Sequence, residues 1–145
     1  EEVVGSFSYR LVYHGTDIHF PHALAFGARG TICGLGNVMP RLLRAMMNAP
    51  TALDRRKLLS LITSGDLILS RQSFAASIKA VLAFAAKEPG WNRMVPPINA
   101  LPQPERRWML DDFARWEASL PPALRSLGLT DEPADGKITP LRLGS

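Results

Sequence analysis

The chain has 145 residues, 46% of them hydrophobic and 21% charged, with a formal net charge of +4. That length supports one domain with a sizeable core, and the composition excludes a disordered or fibrous chain. The densest basic runs, Arg55-Arg56-Lys57 and Arg106-Arg107, fall in predicted helices beside Asp54 and Glu105, which is the pattern of a solvated helix face rather than a nucleic-acid surface.

Residues 9–14, Tyr-Arg-Leu-Val-Tyr-His, read as a short strand ending at Gly15. Pro21 to Phe26 suits a short helix, since proline in a first turn lacks only an N–H that has no partner there. Gly27 to Gly30 breaks it, and Thr31-Ile32-Cys33 reads as a buried strand that runs into Gly34-Leu35-Gly36-Asn37. Pro40 opens a helix through Asn48, with Leu42, Leu43, Met46 and Met47 on adjoining turns. Leu53, Leu58, Leu61 and Ile62 mark the next helix, which is expected to stop near Gly65. Ser73 is placed to cap a further helix, with Phe74, Ile78, Val81, Leu82 and Ala85 at helical spacing and an end before Pro89-Gly90. A proline-rich connection from Trp91 to Pro104 follows. The last long helix carries Met109, Phe113, Trp116 and Leu120 and ends at Pro121-Pro122; a turn from Ala123 to Leu127 precedes a polar tail, 130–145, expected to have weak order at most.

Strand, helix, strand, helix is a βαβα order, which implies a parallel sheet. Two short strands cannot make an independent parallel sheet, whose two faces both need cover. The chain therefore reads as part of a larger α/β architecture. Cys33 is the only cysteine, so an internal disulfide is excluded and a reducing cytoplasm is the expected setting. No stretch approaches the roughly 20 apolar residues of a membrane span. The start, Glu1-Glu2-Val3-Val4-Gly5, lacks the basic and apolar regions of a signal peptide and has no initiating methionine. A processed start or an excerpt of a longer chain is the expectation.

Ligands of α/β folds bind at the carboxyl ends of strands, which directs attention to Gly15-Thr16-Asp17 and Gly34-Leu35-Gly36-Asn37. Both also serve as tight strand-to-helix turns. Asp17 stands where a carboxylate either accepts a substrate hydroxyl or caps the following helix. Gly34 and Gly36 begin a dinucleotide fingerprint, but Met39 takes the place of its third glycine. His14, His19 and His22 fall within nine residues; with Pro21 between two of them and no further ligand set, they read as helix-entry histidines rather than a metal site. The lysines are Lys57, Lys79, Lys87 and Lys137. None sits near a predicted strand end, so the sequence offers no candidate for a Schiff-base amine.

The run Tyr9-Arg-Leu-Val-Tyr-His-Gly-Thr-Asp17 and, nine residues on, Gly27-Ala-Arg-Gly-Thr-Ile-Cys-Gly-Leu-Gly-Asn-Val-Met-Pro40 resemble the dihydrodipicolinate synthase and N-acetylneuraminate lyase family. Ala76-Ser-Ile-Lys-Ala-Val-Leu82 and Asn92-Arg-Met-Val-Pro-Pro-Ile98 are similar to its C-terminal helical extension and arginine-proline connection. The resemblance covers residues 3 to 129, and the two glycine loops keep the family's spacing without a gap. It implies the C-terminal portion of a (β/α)₈ TIM barrel, with the last two strand-helix units in residues 1–48, a helical region in 49–129 and the tail beyond.

It also implies a class I aldolase or lyase that acts on pyruvate or another 2-oxo acid through a lysine Schiff base. That lysine is expected upstream of Glu1, with no cofactor and no metal. The implied partners are the small-molecule substrate, the remainder of the barrel and other copies in a dimer or tetramer, without nucleic acid or membrane. Ile32 matches the position whose backbone carbonyl faces the 2-oxo acid. Gly15 and Asp17 match positions lining the far end of the substrate in the sialic acid lyases. Gly34 and Ile18 stand where those lyases have a serine and a glutamate, which argues against sialic acid. Thr16 replaces an acidic residue of the dihydrodipicolinate synthases. Two other readings stand beside this one: a helical protein-interaction module without catalytic activity, and a nucleotide-binding fragment using Gly34 to Asn37.

Overall fold

The computed structural model describes residues 11–15 and 17–129. Two strands, β1 (Tyr13–His14) and β2 (Gly30–Thr31), pair in parallel with Tyr13 opposite Gly30 and His14 opposite Thr31. The crossover between them holds a 3₁₀ turn, Asp17–His19, and helix α1, Phe20–Ala25. After β2 comes a second 3₁₀ turn, Gly34–Asn37, and then helices α2 (Pro40–Asn48), α3 (Ala52–Leu69), α4 (Phe74–Ala85) and α5 (Gln103–Ser119). Short 3₁₀ turns at Pro89–Asn92 and Pro122–Leu124 complete the described chain.

Local chemistry explains where the helices begin. Pro40 opens α2. At α3 the Thr51 hydroxyl accepts the Asp54 N–H at 3.1 Å and donates to the Asp54 carboxylate at 2.6 Å, a reciprocal cap worth about 1 kcal/mol. Ser73 does precede α4, but its hydroxyl makes no cap hydrogen bond. The expected cap is there in position only.

Helix α3 runs on through Gly65 to Leu69, four residues beyond its expected stop. The reason is tertiary. A Cβ at position 65 would lie 2.6 Å from the Trp116 ring and 2.9 Å from the Met39 methyl, so the glycine is where α5 and Met39 come against α3. Arg71 and Asp112, 2.7 Å apart, tie the two helices beyond that contact. Since 65 meets 116 and 71 meets 112, α3 and α5 run antiparallel.

The core draws on every helix and on the turn after β2. Phe20, Leu35, Met39, Leu42, Met46, Ile62, Leu69, Val81 and Phe113 are fully buried, each large side chain contributing about 1.5–3 kcal/mol relative to exposure. The predicted stripes of α2, α4 and α5 face this core. On α3, Ile62 is buried while Leu53 is exposed.

The fold class differs from expectation. Of the described residues 64% are helical and 3% lie in strands, with five α-helices and one two-stranded sheet among them, and two strand-helix units of a TIM barrel do not describe this. The ladder is two residues long because Gly15 and the turn at Asp17 end β1, while Ile32 and Cys33 lead from β2 directly into the turn at Gly34. The helices bury their apolar faces mainly against one another, with α2 on α3, α3 on α5 and α4 on α5. Tyr9 and Arg10 of the predicted first strand, Thr16, and the tail 130–145 lie outside the described residues.

Candidate functional site

The candidate site is the carboxyl end of the ladder. The Ile32 N–H donates to the His14 carbonyl at 3.0 Å, and the Thr31 hydroxyl donates to the same oxygen at 2.9 Å. Gly15 and Ile32, the next residues of their strands, thus leave the ladder side by side. A Cβ at Gly15 would meet no atom within 4 Å, and Ile32 is 74% exposed. Two residues further along, the backbone of Asp17 opens the 3₁₀ turn, and the adjoining Ile18 is exposed.

Gly34 belongs elsewhere. A Cβ there would lie 2.5 Å from the Phe74 ring and 3.0 Å from Ile78. It is where the turn after β2 is packed against α4, so a side chain at this position is excluded by the helix. Of the four expected substrate-lining residues, Gly15 and Ile32 come together, Asp17 stands two residues after Gly15 in the chain, and Gly34 is taken up by packing.

The ladder has two different faces. The Tyr13 ring lies over Gly30, 3.2 Å from where a Cβ would stand, so Tyr13 and Gly30 share a face, and strand alternation adds Leu11 and Ile32 to it. Leu11 is 66% and Tyr13 51% exposed. Val12, His14 and Thr31, on the other face, are half-buried. One face is half-buried and the other is apolar and exposed.

The histidines separate. The His14 and His19 rings meet edge-on with centroids 6.3 Å apart, while His22 packs on Phe26 at 4.7 Å. Among the described residues no three His, Cys, Asp or Glu side chains converge as metal ligands. Lys57 is exposed on α3, the Lys79 ammonium donates to the Arg93 carbonyl, and Lys87 follows α4 with a positive φ of 53°. No lysine among the described residues stands at the end of either strand.

One group of functional appearance carries no motif in the sequence. Glu117 is only 2% exposed, and its carboxylate accepts three backbone N–H groups from the segment after α5. The signal was its register, four residues after Phe113 and three before Leu120, on the stripe that α5 turns inward. Ser77 is likewise buried on α4, and its hydroxyl has no hydrogen-bond partner.

No single helix among the described residues is long and apolar enough to cross a membrane. Comparison of the chain with protein-family models, with curated proteins and with solved structures finds no match.

Proposed function

We propose that this chain contributes to a lyase or aldolase acting on pyruvate or another 2-oxo acid through a lysine Schiff base, in the manner of dihydrodipicolinate synthase. The lysine belongs to a segment outside residues 1–145. The observation that carries the reading is the open ground at the ladder end, where Gly15 and Ile32 emerge together with no described residue packed against the Cβ position of Gly15 and with Ile32 exposed. The resemblance of the two glycine loops supplies the chemistry. In such a reaction the amine adds to the C2 carbonyl of the 2-oxo acid and water leaves. The resulting iminium then withdraws the electrons of the C3 carbanion as the C3–C bond forms or breaks. Gly15, Ile32 and Asp17 line the substrate in this proposal. The subunit acts as a dimer or tetramer in the cytoplasm, without cofactor.

The test is reductive trapping. The complete subunit is incubated with pyruvate and sodium borohydride and its intact mass is measured. A stable pyruvate adduct on one lysine is the expected result; a folded, full-length subunit that gains no mass removes the reading.

The closing of Gly34 by Phe74 favours a second reading. A loop packed in this way is a turn, as in a helical protein-interaction module without catalysis. Such a module gives no adduct in the trapping experiment and retains a protein partner on co-purification.

A further inference from the structure

Glu117 and the segment that follows α5 form an arrangement that the ladder end does not use. Glu117 Oε1 accepts the N–H groups of Ser126 at 2.9 Å and Leu127 at 2.6 Å, and Oε2 accepts that of Leu129 at 3.1 Å. Bonds of this kind, from N–H to carboxylate, are about twice as strong as those between neutral groups. Arg125 turns back the other way, donating to the carbonyls of Ala118 at 2.8 Å and Leu120 at 3.0 Å. It satisfies carbonyls left without partners where α5 ends. The strap 121–129 is thus clamped to α5 at both its own backbone and its one arginine. Leu124, Leu127 and Leu129 pack on the core beneath it.

The strap also reaches across to α2. The Pro122–Leu124 turn packs against that helix, and the Ser126 hydroxyl accepts the Arg41 N–H at 3.4 Å. Arg41 lies in the first turn of α2, where backbone N–H groups have no intrahelical acceptor. The same turn directly follows Val38 and Met39, whose N–H groups close on the Leu35 carbonyl at 3.0 and 2.8 Å. From Glu117 to Ser126 to Arg41, the contacts lead to the loop that follows β2.

We infer that the strap is a conformational device. Clamped by Glu117, it holds the N-terminus of α2 and, through it, sets the position of the loop 34–39 after β2. Glu117 is a positioning residue for that loop. The inference does not depend on the chemistry proposed for the ladder end.

Amide hydrogen exchange in the whole chain tests it. In Glu117→Gln the side-chain nitrogen cannot accept the Leu129 N–H, and the charge toward Ser126 and Leu127 is gone. Exchange at those three amides is expected to rise about tenfold, with faster exchange also at Val38, Met39 and Arg41. The amides of Ile62 and Val81, deep in α3 and α4, stay as they were. Acceleration confined to 126–129 overturns the inference, because the strap is then only a brace for the end of α5. If Glu117→Gln loosens the whole fold, Ser126→Ala decides, since it removes the link to Arg41 and leaves Glu117 intact. Faster exchange at 38–41 in that variant supports the device, and unchanged exchange there overturns it.

Discussion

At position 65 a hydrogen stands where any other residue would drive a carbon into the Trp116 ring at 2.6 Å. Two effects oppose each other in Gly65→Ala. Alanine favours the helix by about 1 kcal/mol, while overpacking costs about 1–3 kcal/mol. The clash decides, because Met39 can shift its methyl but the Trp116 ring is held by Phe113, with centroids 5.0 Å apart. Gly65→Ala is expected to lower stability by about 1 kcal/mol, seen as a reduced urea midpoint with an unchanged slope. A midpoint at or above that of the unmodified chain would mean that the indole moves aside at no cost.

Helix α4 ends in a Schellman arrangement with the wrong residue for it. Glu88 donates to the Ala83 carbonyl at 3.0 Å and Lys87 to that of Phe84 at 3.3 Å, while Lys87 itself takes φ 53°. That left-handed position favours glycine, since a Cβ there meets backbone oxygen. Lys87→Gly is expected to stabilise the protein by about 0.5–1 kcal/mol, raising the thermal midpoint with no change in helical content by circular dichroism. A lower midpoint would show that the lysine side chain contributes more than the backbone relief returns. The cap at the other end teaches the same caution about elements: Ser73 occupies the N-cap position of α4, yet its hydroxyl makes no cap bond.

Across the whole molecule, the open face of the ladder is the unusual feature. Parallel strands are ordinarily covered on both sides, yet Leu11, Tyr13 and Ile32 stand exposed on one of them. If that face is open in the isolated chain, Ile32→Ser changes stability by no more than about 0.5 kcal/mol, measured by denaturant unfolding at low protein concentration. A loss above about 1 kcal/mol would show that Ile32 is covered in solution. The trapping experiment belongs to this scale too, because the amine it seeks is not among the described residues.

Much of the helical framework was legible from residue types and their spacing. Pro40 at the start of α2, the Leu42–Met46 stripe, the Phe74–Ala85 pattern and the Met109–Leu120 stripe are local features, set by backbone sterics and the 3.6-residue repeat. The parallel pairing of the two strands followed from the strand-helix-strand order. The extent of the sheet did not, because β-branched and aromatic residues such as Val12, Tyr13, Thr31 and Ile32 state a preference for extended chain but not how many partners it finds. What the tertiary structure alone decided are contacts between residues far apart in the chain. Phe74 turned Gly34 from a ligand-facing position into a packing site, Trp116 carried α3 through Gly65, and the backbone of residues 126–129 found an acceptor in a buried glutamate. Periodicity shows which face of a helix is apolar; only the packed chain determines which partner meets it.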